Sequence, residues 1–439
     1  MAADKSGKLA RSLKFRHVFA LSTGAMLSSG LFLLPGIAAA KAGPAAILAY
    51  FIAGLLAVPA MLSVSELSTA LPKAGGAYYF LERALGPAVG TVAGFGAWLS
   101  LVLKDAFAMV GMSAYLVLIV DVNSKNLALI LIAFFTLLNV VGSKASASLQ
   151  LVLVSFVIAV IGWFIVDGLF EISSKGITDS NLDPFFTTGG SGVMAVVGLV
   201  FVSYGGLTKV DSAAEEVEDP SRRIPLGMAV SLTVATLLYT LGVLVAVVAL
   251  PPEELHTDLA PIHSAAEAIL PSFGAGLVVI AALAAFASAV NAGILAAARY
   301  PMAMARDGLL PKGVGRISKF GTPIVGVIST GSAIAIVVLA FNAEAIAKLA
   351  SSFVLLTLGL VNLAVLVLRA SQIQSYAPSF RAPFYPFTQF IGIAISVYLI
   401  WQLGPTPQIF VVAVAVVAWT WHHFYATGRT KRAGAIRHV

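Results

Sequence analysis

The chain has 439 residues, of which 59% are hydrophobic and only 11% charged, and its formal net charge is +7. A water-soluble domain carries about 25% charged residues on its surface, so a soluble fold is excluded and lipid must cover most of this one. There is no cysteine, which excludes disulfides and thiolate metal sites.

In chain order, a basic arm (Lys5, Lys8, Arg11, Lys14, Arg16) leads into apolar windows long enough to cross a hydrocarbon core. These fall at 16–40, 45–65, 88–119, 126–142, 148–170, 191–217, 226–250, 273–298, 324–341, 346–369, 386–404 and 406–425. The arm and Ala38-Ala39-Ala40 resemble a cleaved secretory signal. The many spans that follow, and the chemistry within the first one, argue that the segment is retained.

About twelve spans place both termini on one side. With the amino terminus inside, 21 of the 27 Lys and Arg residues lie inside, and Lys41, Lys125, Lys175 and Lys348 lie outside. That asymmetry is the positive-inside pattern. It explains the basic balance and leaves no role for nucleic acid as a partner. The expected location is a prokaryotic-type plasma membrane with both termini cytoplasmic.

Two spans stand apart. The first carries Ser22-Thr23-Gly24-Ala25-Met26-Leu27-Ser28-Ser29-Gly30, and the sixth carries Ser203-Tyr204-Gly205-Gly206-Leu207-Thr208. Small residues let membrane helices pack closely. Gly with clustered Ser and Thr also weakens a helix by offering the backbone other partners. The two segments hold matching positions in successive sets of five spans. That spacing favours broken helices in two inverted repeats.

Four further motifs make the chain resemble the amino acid–polyamine–organocation permeases. The first span reads Gly24 to Phe32, then Leu34-Pro35-Gly36. After the second span come Glu66-Leu67 and Leu71-Pro72-Lys73-Ala74-Gly75-Gly76-Ala77-Tyr78. The sixth leads to Glu215-Glu216-Val217-Glu218-Asp219-Pro220 and Arg222-Arg223-Ile224-Pro225. The eighth is followed by Ala298-Arg299-Tyr300-Pro301 through Pro311, and by Gly321-Thr322-Pro323.

The resemblance implies an all-α polytopic fold, the five-plus-five inverted-repeat bundle first described in the bacterial leucine transporter, plus two C-terminal helices. It places the first repeat at 16–172, the second at 190–370 and the extra helices at 386–425, all in one transmembrane domain. It also implies secondary transport of amino acids by alternating access.

An amino acid is a zwitterion. A break in the first span leaves N–H groups at the positive end of a half-helix dipole, and Ser28, Ser29 and Gly30 are the expected carboxylate ligands. A break in the sixth span leaves carbonyls near Phe201, Val202 and Ser203 to accept from the ammonium, with Tyr204 as a pocket wall or a packing anchor. Thr208 stands where the family sometimes has an acidic residue, which weakens the case for a cationic substrate.

Intramembrane charges cost roughly 2.5–3.5 kcal/mol on insertion scales. Lys104 in the third span is a candidate for coupling, or for a structural pair with a fixed carboxylate. Neighbours on a helix do not face each other, so Asp105 is no simple local partner. The stretch Leu151–Ala159 in the fifth span, where some proton-coupled relatives carry a lysine, has none, and Val157 lies near that place.

Ser288 and Asn291 in the eighth span are candidates for a sodium site with first-span carbonyls, or for interhelical hydrogen bonds. Glu66, Glu215, Glu216 and Arg306 are candidates for a cytoplasmic gate, or for ordinary interfacial charges. Lys209 and Asp211 follow the sixth-span break and are candidates for an inner gate, or for snorkelling or mutual pairing.

The six His residues sit at interfaces, loops or the tail and form no metal-ligand spacing within the bundle. No enzyme, cofactor or bound metal is expected. The coupling ion is expected to be a proton, with sodium symport, exchange, or an inorganic-ion transporter on the same fold as alternatives. A channel would need a continuous gated pore. The sequence does not set the oligomeric state.

Overall fold

The computed structural model describes residues 12–71, 76–142, 147–175, 179–319, 321–374, 376–430 and 434–438. Lys5, Lys8 and Arg11 of the basic arm, and Pro72 to Gly75 of the second motif, lie outside the described residues. The described chain is helical, with no strand beyond one isolated bridge between Leu13 and Val217. That bridge ties the amino-terminal arm to the segment following the sixth span.

The first span is Phe15–Met26, Ser29–Phe32 and Leu34–Ala42. It turns at Gly43, whose φ of 59° is a left-handed conformation that suits a residue without Cβ. The second span, Ala46–Leu56 with Val58–Ala70, is longer than its apolar window and passes Pro59 without ending. A short helix, Gly76–Leu85, precedes the third span, Pro87–Val117.

The fourth and fifth spans are Ser124–Val141 and Ala147–Lys175. The sixth begins as Gly189–Val200 and continues differently, as described below. The seventh to tenth are Pro220–Ala249, Ser272–Arg306, Ile324–Ala340 and Ala343–Ala370. The last two are Phe387–Gln402 and Pro405–Trp421. Proline opens several of these helices, at the position where its missing N–H has no intrahelical partner anyway.

Among the described residues, nine helical stretches are long and apolar enough to cross a membrane. Ile324–Ala340 and Phe387–Gln402 are apolar but shorter, and Leu34–Ala70 counts as one stretch although it holds the end of the first span and all of the second. The expected twelve spans are therefore all present as helical segments.

Burial sorts them radially. The most apolar window is 78% buried in the third span and 72% in both the sixth and the tenth, against 11% in the last. The outer helices turn Phe134, Leu137, Val152, Val166, Phe170 and Trp401 outward. A helix satisfies its backbone internally, so such surfaces suit hydrocarbon. The first, third, sixth and tenth spans form the centre and bury Ser22, Ser28, Lys104, Ser203 and Ser351 there.

Candidate functional site

The first span breaks where the serine pair begins. Its first helix ends at Met26, and Leu27 (φ −69°, ψ 78°) and Ser28 (φ −147°, ψ −126°) are both non-helical. The Leu27 N–H still caps onto the Thr23 carbonyl at 2.8 Å, and the Ser28 N–H folds back to the Met26 carbonyl at 2.7 Å. Ser29 and Gly30 open the next helical turn, where the first N–H groups have no intrahelical acceptor.

The sixth span does not unravel into coil. From Phe201 to Lys209 it tightens into a 3-10 helix, and a second 3-10 turn follows at Asp211–Glu216. Nine residues is long for this geometry, which is uncommon beyond three or four and often marks a functional hinge. Gly205 and Gly206 in mid-run lower its helical propensity.

The two interruptions meet. A Cβ on Gly30 would strike the Ser203 side chain, and one on Gly206 would lie 2.8 Å from both the Met26 nitrogen and the Ser22 carbonyl oxygen. Only glycine permits this approach. The buried hydroxyls of Ser22, Thr23 and Ser203 have no hydrogen-bond partner among the described residues. Buried polar groups are normally satisfied, so these three mark a place that favours a polar guest.

Three tyrosines frame the junction. Tyr239 donates to the Met26 carbonyl at 2.7 Å and reaches the Ser203 carbonyl at 3.3 Å, joining both breaks from the seventh span. Tyr50 donates to the Gly30 carbonyl at 2.8 Å, and Tyr204 donates to the Tyr50 carbonyl at 2.7 Å. The rings of Tyr204 and Tyr239 stack edge to face, with centroids 5.4 Å apart. The Val202 N–H, at the start of the 3-10 run, donates to Ser351 of the tenth span at 2.9 Å.

Lys104 is buried and its Nζ donates to the Ala25 carbonyl at 2.7 Å, at the end of the first half-helix. Asp105 projects elsewhere, with both carboxylate oxygens against Gly293 of the eighth span. Lys209 lies within Coulombic reach of Asp105 and Lys104, and its Nζ is 3.5 Å from the Ala289 carbonyl.

Ser288 donates to Oε1 of Gln150 on the fifth span at 2.5 Å, and Asn291 accepts from Asn139 on the fourth at 3.1 Å. Both therefore face helices four and five. Val157 is buried beside the same Gln150 pocket, together with Gly24 and Leu27.

The gate candidates do not gather into one cluster. Glu66 is fully buried and accepts four hydrogen bonds: from Arg369 Nε at 2.7 Å and Nη2 at 2.6 Å, from the Tyr376 hydroxyl at 2.7 Å and from the Ala382 N–H at 2.7 Å. Burial, and next the Glu66 carboxylate, push the Tyr376 phenol well above its ordinary range, so it stays a donor. Glu215 and Glu216 are half-exposed, and the Glu216 backbone carbonyl accepts from Ser12 and Leu13. Arg306 is exposed at the end of the eighth span.

On the opposite face, Lys41 of the first span meets Glu344 of the tenth at 2.7 Å, and Lys348 meets the same oxygen at 2.8 Å. There Gly36 packs closely on the Leu255 and Asp258 carbonyls of the segment joining the seventh and eighth spans.

Sequence reasoning missed Tyr50, Tyr239, Ser351, Gln150 and Arg369. A signal did exist for the tyrosines, because a phenol at mid-membrane depth must find a partner for its O–H. The partners of Gln150 and Arg369 are 138 and 303 residues away, and no local pattern reports such pairing.

A polytopic helical bundle whose two interrupted spans meet at its centre is the architecture of a membrane transporter. Residues 13–427 match the family model described as amino acid permease, and the chain belongs to that family, which comprises transporters and not enzymes. It is 29% identical to a methylthioribose transporter of Bacillus subtilis over 437 residues, covering 94% of this chain and 93% of the relative. It is 29% identical to the branched-chain amino acid permease BcaP of Lactococcus lactis, covering 91% and 90%. With the mitochondrial cationic amino acid transporter 3 of Arabidopsis thaliana it shares 30% identity over 82% of this chain, which spans 63% of that longer relative.

Proposed function

We propose that the chain is a secondary transporter that moves amino acids by alternating access around the junction of the first and sixth spans. The observation that carries this reading is the meeting of two helix breaks beside three buried hydroxyls that have no partner among the described residues. The zwitterion's carboxylate would take the N–H groups of Ser28, Ser29 and Gly30. Its ammonium would take carbonyls around Phe201, Val202 and Ser203, with Tyr204 as a wall.

Gly30 and Ser203 are in contact, so binding must part the two spans, and that separation links occupancy to motion. The same geometry supports two repeats at 16–172 and 190–370, with 386–425 added outside. The excess of Lys and Arg on one side supports cytoplasmic termini in a prokaryotic-type plasma membrane.

Protons are the coupling ion this reading favours, acting at Lys104. Losing the Lys104 charge would weaken its hold on the Ala25 carbonyl and free the first half-helix. Ser288 and Asn291 already have protein partners, which speaks against sodium. The names of the relatives span branched-chain and cationic amino acids and methylthioribose, so they define a range and not a substrate.

The test is uptake into proteoliposomes of a panel of labelled L-amino acids under a proton gradient, a sodium gradient, and neither. Saturable uptake is expected, with accumulation only under the proton gradient. No uptake or exchange of any amino acid by folded protein would move the assignment to inorganic ions. A Lys104→Ala variant with unchanged transport and pH response would remove Lys104 from coupling.

A further inference from the structure

A cavity of about 20 Å³ lies between the third, sixth, eighth and tenth spans, lined in part by Ser100, Lys104, Gly205, Thr208, Tyr300 and Thr357. It begins at Gly205, two residues along the 3-10 run from Ser203. At a rise of about 2 Å per residue this is about 4 Å away, within the reach of an amino-acid side chain whose α-carbon sits at the junction. As it stands the cavity has room for about one water, and once binding parts the two spans it is placed to receive the part of the substrate that differs from one amino acid to the next.

Among the described residues the charged lining is Lys104 alone. An ammonium carries three N–H donors, and one of those of Lys104 is taken by the Ala25 carbonyl. Asp105 is turned toward Gly293 and does not cap it. The hydroxyls of Thr208 and Thr357 donate to carbonyls of their own helices, Gly205 and Phe353, and so turn only lone pairs toward the cavity. Buried donors without acceptors are costly, so the cavity favours a guest that brings an oxygen acceptor. A cationic guest would set a second ammonium beside the first, where low polarity strengthens repulsion.

We infer that Lys104 is a specificity-determining residue that reads the substrate side chain, accepting amino acids with a carboxylate or amide oxygen there and rejecting lysine and arginine. The inference rests on the proposed amino-acid site and adds its substrate class.

The test is equilibrium binding to the purified full chain by aspartate, glutamate, asparagine, glutamine, alanine, leucine, lysine and arginine. Binding is the readout because a coupling role of Lys104 would disturb uptake of every substrate alike. The expected result is at least tenfold tighter binding of the oxygen-bearing side chains than of lysine or arginine. Lys104→Met should weaken aspartate and asparagine at least tenfold more than alanine, and Lys104→Glu should turn the preference toward lysine and arginine.

Wild-type protein that binds lysine or arginine as tightly as aspartate overturns the inference, whether or not the variants fold. A Lys104→Met variant that weakens alanine and aspartate equally also overturns it, because the ammonium would then serve the α-carboxylate common to all. Absence of binding by every amino acid overturns the underlying site as well, which separates the two failures.

Discussion

Replacing Arg369 by Met should unlock the most completely satisfied ion pair among the described residues. The substitution keeps most of the side-chain volume and leaves Glu66 with two donors, Tyr376 and the Ala382 N–H, in place of four. The lost pair are bidentate, charge-assisted bonds at 2.7 and 2.6 Å, each worth about 1.5–3 kcal/mol. Glu66 has no exposed surface, so water cannot replace them without opening the interface. Breaking a buried pair from one side costs about 3–5 kcal/mol, in agreement with that sum.

Thermal unfolding in detergent, followed by size-exclusion chromatography, gives the readout. A double-mutant cycle with Glu66→Gln isolates the pairwise contribution. The double variant should be more stable than Arg369→Met alone, since it no longer buries an uncompensated charge. An Arg369→Met protein within about 1 kcal/mol of wild type would refute the reasoning, because the bridge would then be an ordinary interfacial pair.

Tyr239→Phe removes one hydroxyl that touches both breaks; it should leave the fold intact and lower substrate affinity about 2- to 10-fold, from about 0.5–1.5 kcal/mol for a neutral hydrogen bond. Equilibrium binding measures this, and unchanged affinity would detach the seventh span from the site. Gly206→Ala and Gly30→Ala should each cost about 1–3 kcal/mol by overpacking, because the new methyl meets first-span backbone in one and the Cβ and Cα of Ser203 in the other, and side-chain rotation clears neither. Unchanged melting temperatures would contradict the close approach.

The Tyr376 phenol is raised in the folded state relative to an unfolded value of about 10. Its contribution is therefore full below about pH 10 and is lost as pH rises beyond it. Tyr376→Phe should lower stability by about 1.5–3 kcal/mol at neutral pH and flatten the alkaline limb of the melting profile. An alkaline limb identical in wild type and variant would assign that loss to other groups.

Composition alone settled the class of molecule. With 11% charge a chain of this length cannot face water, and hydrogen-bond satisfaction in lipid then dictates helices or a closed barrel. The long apolar windows choose helices. The first break was legible as well, because Ser28-Ser29-Gly30 combines weak helix formers where apolar residues would otherwise continue the helix. The form of the sixth-span interruption was not legible. Tightening into 3-10 geometry and opening into coil start from the same glycines, and contacts such as that of Val202 with Ser351 accompany the tightened form.

The charges divide in the same way. That Lys104 would be buried follows from its place in an apolar window. That it meets the Ala25 carbonyl while Asp105 turns to Gly293 depends on how three helices pack. Glu66 is a residue of a recognisable motif, yet its partner is 303 positions away. Local pattern reports which residues must leave water, because burial is a property of the residue and its helix face. Partnership between distant side chains is decided only when the helices pack, because it depends on distances that no single helix contains.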